Sequence, residues 1–138
     1  MTRPIAAGKL VAACLLLALA GCASLAPRTP EELVKVRAQA RQDALRKGDR
    51  QRAYEYFSPA YRATVSAATF KATIGNAVET VGATVESVAC EALDKCVAQV
   101  KLEIKPIAIR GFAGTIVTTY ANETWLLEAG QWWLFQTL

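Results

Sequence analysis

Histidine is absent from all 138 residues. That removes every mechanism using imidazole as base, nucleophile or metal ligand. No glycine-rich phosphate loop leads into a helix, and no nucleophile elbow is present. Gly111-Phe112-Ala113-Gly114 is a turn, because no helix follows it. Internal repeats and low-complexity stretches are also missing. Charged side chains make up only 20% of the chain and hydrophobic ones 53%, which argues against disorder and for one compact domain. Leu10 to Cys22 runs without a charge for about 13 residues, short of the roughly 20 that a membrane-spanning helix needs.

What precedes and ends that run is informative. Arg3 and Lys9 make the start basic, and small residues close the apolar core, a secretory-signal pattern. Leu19-Ala20-Gly21-Cys22 resembles the lipobox of bacterial lipoproteins. The resemblance implies cleavage before Cys22, acylation of its thiol, and a mature chain that starts there. Ala23 in place of Asp implies sorting to the outer membrane, with the domain facing the periplasm. Each buried CH₂ is worth about 0.8 kcal/mol, so two or more acyl chains hold a protein stably. Residues 1–21 are then the signal peptide, 22–29 the lipidated N-terminus and tether, and 30–138 a single domain. Cleavage removes Arg3 and Lys9, halving the net charge of +4. A nucleic-acid partner is therefore not expected.

Of four cysteines, Cys14 lies in the signal core and Cys22 is the lipid site. Cys90 and Cys96 remain, flanked by two strand-like segments joined through Glu91-Ala92-Leu93-Asp94-Lys95. Export favours a disulfide; two free thiols are the alternative. Two thiols without histidine are too few for zinc, so neither metal nor other cofactor is expected.

Thr29-Pro30-Glu31-Glu32 is a capping box with proline at the first helical position. Leu33, Val36, Ala40 and Ala44 recur at helical spacing and are expected to form the buried stripe, with Arg37, Arg41 and Lys47 off it. Gly48 stops the helix. Asp49 caps a second helix over 50–57 whose Ala53, Tyr54 and Phe57 share a face. Ser58-Pro59 opens a third helical turn, and Ser66 caps a helix over 67–74. From Val81 the period becomes two. Ala83, Val85, Ser87 and Ala89 are expected on one face. Cys96, Ala98, Val100, Leu102 and Ile104 alternate with more polar partners. Ala129-Gly130 makes the last turn. Helices followed by hairpin-linked strands predict an α+β fold, with N-terminal helices on an antiparallel sheet of about four strands.

The phrases Ala44-Leu45-Arg46-Lys47-Gly48-Asp49, Ala53-Tyr54-Glu55-Tyr56-Phe57-Ser58-Pro59-Ala60-Tyr61-Arg62, Glu123-Thr124-Trp125 and Gly130-Gln131-Trp132-Trp133 follow that order of elements. Together they resemble the nuclear transport factor two-like superfamily, which includes ketosteroid isomerases. The resemblance implies a strongly curved sheet wrapped around its helices, a cone with one open end. It does not choose among enzymes, binders and interaction modules. Isomerase chemistry needs a carboxylate base and acidic hydrogen-bond donors, and no residue here falls in a motif that fixes such a role. The expected function is a non-enzymatic module, anchored to the membrane through Cys22, that binds a protein partner or a small apolar ligand. A homodimer is a further partner reading. The alternative is an isomerase or dehydratase using a carboxylate and a tyrosine inside the cone. Tyr54, Tyr61, Arg62, Tyr120, Asn122, Glu123 and Trp132 are the candidate cavity-lining residues. Thr118, Tyr120, Asn122 and Thr124 share one face of their strand, and Glu123 and Trp125 the other. Trp132 and Trp133 point opposite ways.

Overall fold

A computed structural model describes residues 28–74, 78–107, 111 and 114–136. The segment expected to be a signal peptide, Cys22 with its expected lipidation, and most of the expected tether lie outside the described residues, as do Gly75-Asn76 and Phe112-Ala113.

Four helices precede four strands: α1 (Pro30–Arg46), α2 (Arg50–Tyr54), α3 (Pro59–Thr64), α4 (Ala67–Thr73), β1 (Val78–Ala92), β2 (Lys95–Pro106), β3 (Val117–Glu128) and β4 (Gln131–Phe135). The strands form one antiparallel sheet in sequence order. Helix starts follow local chemistry. Thr29 and Glu32 form a reciprocal capping box, and the side chains of Asp49, Ser58 and Ser66 accept from backbone N–H groups in the first turns of α2, α3 and α4. α2 is shorter than expected, ending at Tyr54, yet Ala53, Tyr54 and Phe57 are all buried together.

The buried stripe of α1 departs from expectation. Val34, Ala38, Arg41, Gln42 and Ala44 are buried, while Leu33 and Val36 are 39% and 54% exposed. The spacing is still helical, but the face is rotated and includes two polar residues. Gln39 helps to set that rotation. Its amide donates to the Ala83 carbonyl oxygen (3.1 Å) and accepts from the Val85 N–H (2.9 Å), satisfying two backbone groups of edge strand β1.

β1 also corrects the expected alternation. Ala83 and Val85 are buried as expected, but Ser87 and Ala89 are exposed. A register shift between Val85 and Ser87 inserts an extra residue and turns Val88 and Cys90 to the covered face instead. β2 keeps its alternation as far as Val100, beyond which Leu102, Ile104 and their polar neighbours are all partly buried. Cys96, Ala98 and Val100 are fully covered, and Leu102 packs partly buried beside them. Cys90 stands opposite Cys96 and is disulfide-bonded to it. The β3–β4 turn has Ala129 at φ 50° and Gly130 at φ 77°, the two left-handed residues of a tight hairpin.

The far edge of β4 is partly covered. Phe57 bridges Leu134 in parallel, and the Leu134 N–H donates to the Tyr56 carbonyl oxygen (2.9 Å). Phe57 stacks on Tyr61 at 4.3 Å and meets Phe70 edge-on at 5.2 Å. Trp125, fully buried, meets Tyr56 edge-on at 6.3 Å. This aromatic core joins helices to sheet, and two arginines of α1 lie against it.

Candidate functional site

The rotation of α1 brings Arg41 and Gln42 against Glu123 on β3. Glu123 shares its strand face with Trp125 and is only 9% exposed. The Arg41 guanidinium donates to Glu123 Oε1 in a buried ion pair, and the Gln42 amide donates to the same oxygen at 2.7 Å. Arg41 also lies over the Phe57 ring, 5.4 Å from its centroid. Burial pushes the Glu123 carboxyl above its ordinary range, and Arg41, the Trp125 indole and Gln42 pull it partly back. Burial likewise lowers the Arg41 guanidinium, offset by Glu123 and Tyr61. Glu123 Oε2, Arg41 Nε and Trp125 Nε1 are buried and make no hydrogen bond of ordinary geometry, although the indole is near enough to favour the charged carboxylate.

This arrangement suits structure better than proton transfer. A general base must present a free lone pair within reach of substrate. Glu123 instead spends Oε1 on two donors, its unbonded Oε2 is shut away from solvent, and the neighbouring guanidinium holds the ion pair inside the core. The Tyr54 hydroxyl donates to the carbonyl oxygens of Val65 (2.7 Å) and Arg62 (3.2 Å), and so ties α2 to the end of α3.

The other expected lining residues are dispersed. Tyr61 packs on Phe57, half-buried. Trp132 is buried in the core. Tyr120, 56% exposed, and Asn122 lie on the opposite, solvent-facing side of β3 from Glu123. Arg62 leaves this group entirely: its guanidinium lies over Trp133, 5.3 Å from the ring centroid.

Trp133 is half-buried and belongs to a second polar cluster. Arg37, one turn before Arg41 on α1, lies 5.7 Å from the Trp133 centroid and 5.2 Å from that of Tyr56. Burial lowers the Arg37 guanidinium, with Tyr56 acting the other way. Beside it, Arg37, Arg52, Glu55, Tyr56 and Gln131 line a cleft of about 180 Å³. A neighbouring cleft of about 270 Å³ shares Arg52 and Tyr56 and extends along the C-terminal half of α1. Arg37, Arg41 and Gln42 escape sequence reading because each owes its role to a partner far along the chain. The separation between Arg41 and Glu123 is 82 residues. The one local signal is the doubled tryptophan, which puts an aromatic on each side of β4 whatever its register.

No protein-family model and no curated protein matches the chain. Among solved structures, the chain is similar to the solution structure of a SEC-C motif containing protein from Rhodopseudomonas palustris. The TM-score is 0.52 and the identity 17%, over 78% of this chain and 76% of that one. At that identity the likeness concerns the fold, an α+β domain with helices on a four-stranded antiparallel sheet.

Proposed function

We propose that the chain is an outer-membrane lipoprotein whose single domain is a non-enzymatic binding module. The domain is of the nuclear transport factor two-like cone class, and a protein partner is its preferred ligand. The lipobox-like Leu19-Ala20-Gly21-Cys22 supports the anchor. The observation that carries the non-enzymatic reading is the fate of Glu123. It is the buried acid among the described residues; Arg41 and Gln42 occupy its Oε1, and its Oε2 is buried away from solvent. Exposed Leu33, Val36, Tyr120 and Phe135 favour a protein partner over an enclosed apolar ligand, since the cleft beside Arg37 is walled mainly by polar side chains and the apolar groove along Val36 and Ala40 is open to solvent.

The test is mass spectrometry of the mature N-terminus together with membrane fractionation, for the native chain and Cys22→Ser. The proposal expects a diacylated or triacylated Cys22 in the outer-membrane fraction, and loss of both cleavage and outer-membrane location in the variant. Native-like processing and sedimentation of Cys22→Ser would overturn the anchor.

A further inference from the structure

We infer that the cleft between α1, α2 and β4 is a binding site for a compact oxyanion, a phosphate or a carboxylate, held by Arg37 and Arg52. The inference goes beyond the lipid-anchor reading and does not depend on it.

Three observations converge. The first is an excess of unpaired cations. Among the described residues, the ion pairs are Arg41–Glu123, Arg46–Asp43 and Lys95–Glu91; Arg37, Arg52 and Arg62 take part in none. The Nε atom of Arg37 is buried and makes no hydrogen bond, so an anion in the cleft is met by its terminal amino groups. The second is proximity. Arg37 and Arg52 line the same small cleft, and Arg62, which shares the Trp133 indole with Arg37, adds positive charge nearby. The Trp133 and Tyr56 rings steady Arg37 but do not neutralise it. An anion in the cleft would offset the charges of Arg37 and Arg52.

The third observation is the shape and lining of the cleft. Its volume, about 180 Å³, lies below the several hundred Å³ typical of sites for drug-sized ligands, and suits a small polar group. Gln131 and Tyr56 add neutral donors to the wall. Gln131 and Trp133 are two apart on β4, so they share a side of the strand. Glu55 also lines the cleft and offsets one cation. The lining remains positive, with an acid on one side that disfavours highly charged anions. Guanidinium forks match the paired oxygens of phosphate and carboxylate, which spherical halide cannot reproduce.

The experiment uses the full chain in neutral detergent, with ¹⁵N-labelled tryptophan, and follows the indole N–H resonances by NMR. The chain has three tryptophans: Trp133 reports the site and buried Trp125 reports the fold. Sodium phosphate, sodium acetate and sodium chloride are titrated separately at matched ionic strength. Saturable movement of the Trp133 resonance is expected with phosphate, acetate or both, while the Trp125 resonance stays still and chloride has no such effect. Phosphate alone identifies a phosphoryl site, and acetate alone a carboxylate site. Arg37→Gln is expected to weaken the response by about tenfold or more, as loss of a charge-assisted fork should, and Arg37→Lys by less. Should Arg37→Gln lose the native Trp125 resonance, Arg52→Gln supplies the same test from a different helix. Identical, unsaturated shifts with all three salts would overturn the site, as would native affinity in both Arg→Gln variants.

Discussion

Arg37 and Arg41 stand one turn apart on α1 and carry the same group, yet they meet different surroundings. Arg41 turns into the core, where a carboxylate and Phe57 receive it. Arg37 turns to the margin, where Tyr56 and Trp133 receive it and no acid pairs with it. The difference follows from which strand lies beneath each position. Arg41 meets the centre of β3 through Glu123, whereas Arg37 meets the end of the sheet, where β4 and the segment after α2 leave a cleft. A charge surrounded by compensating groups stabilises a fold. A charge partly covered and lacking a counter-ion is available to a ligand.

The largest expected effect breaks the buried half of this comparison. Arg41→Gln leaves Glu123 without its cation, and stability should fall by about 3–5 kcal/mol, as for removal of one partner of a buried ion pair. Urea unfolding followed by tryptophan fluorescence measures it. A loss below about 1 kcal/mol would show that the pair is not structural.

A second change sets a scale away from both arginines. Reducing the Cys90–Cys96 bridge, or replacing both cysteines by serine, should cost about 2 kcal/mol, because the bridge closes a short loop. The midpoint difference with and without reductant reports it.

The pH dependence of Glu123 sharpens the contrast. Its folded-state carboxyl is raised above the ordinary value of 4.5, chiefly by burial. Its protonation therefore contributes stability that is fully present below pH 4.5 and is lost as pH rises through the folded-state value. The native chain's advantage over Glu123→Gln, measured by unfolding across this range, should be greatest in acid and shrink toward neutrality. Growth of that advantage with rising pH would mean that Arg41 outweighs desolvation.

The smallest expected effect lies at the open half. Arg37→Gln removes two cation–π contacts at a half-exposed position and should cost about 1 kcal/mol or less. Thermal unfolding of the variant beside the native chain reads this directly.

Much of the fold was legible because its signals are local. Thr29, Asp49, Ser58 and Ser66 mark helix starts through their own hydroxyl or carboxylate chemistry, and the two-residue rhythm of β2 survives in its burial as far as Val100. The Cys90–Cys96 pairing was legible from the strand-like flanks and their short connection. The stripe on α1 was not. Leu33-Val36-Ala40-Ala44 and Val34-Ala38-Arg41-Gln42 both have helical spacing, and small apolar residues lie on either side. Only Glu123, far along the chain, makes Arg41 and Gln42 worth burying. The shift within β1 was equally hidden, because a bulge is set by pairing with β2 and leaves no fixed residue signature. The candidate site suffered most. Tyr54, Tyr61, Tyr120, Asn122 and Trp132 are chemically suited to a cavity wall, but the fold distributes them among a helix tie, the core and the outer face.

Parallel urea unfolding and phosphate titration of Arg37→Gln and Arg41→Gln test the division between the two arginines most directly. The account predicts that Arg41→Gln loses several-fold more stability than Arg37→Gln, and that Arg37→Gln alone loses anion response while remaining folded. Equal losses of stability in the two variants, with phosphate response intact in Arg37→Gln, would contradict it.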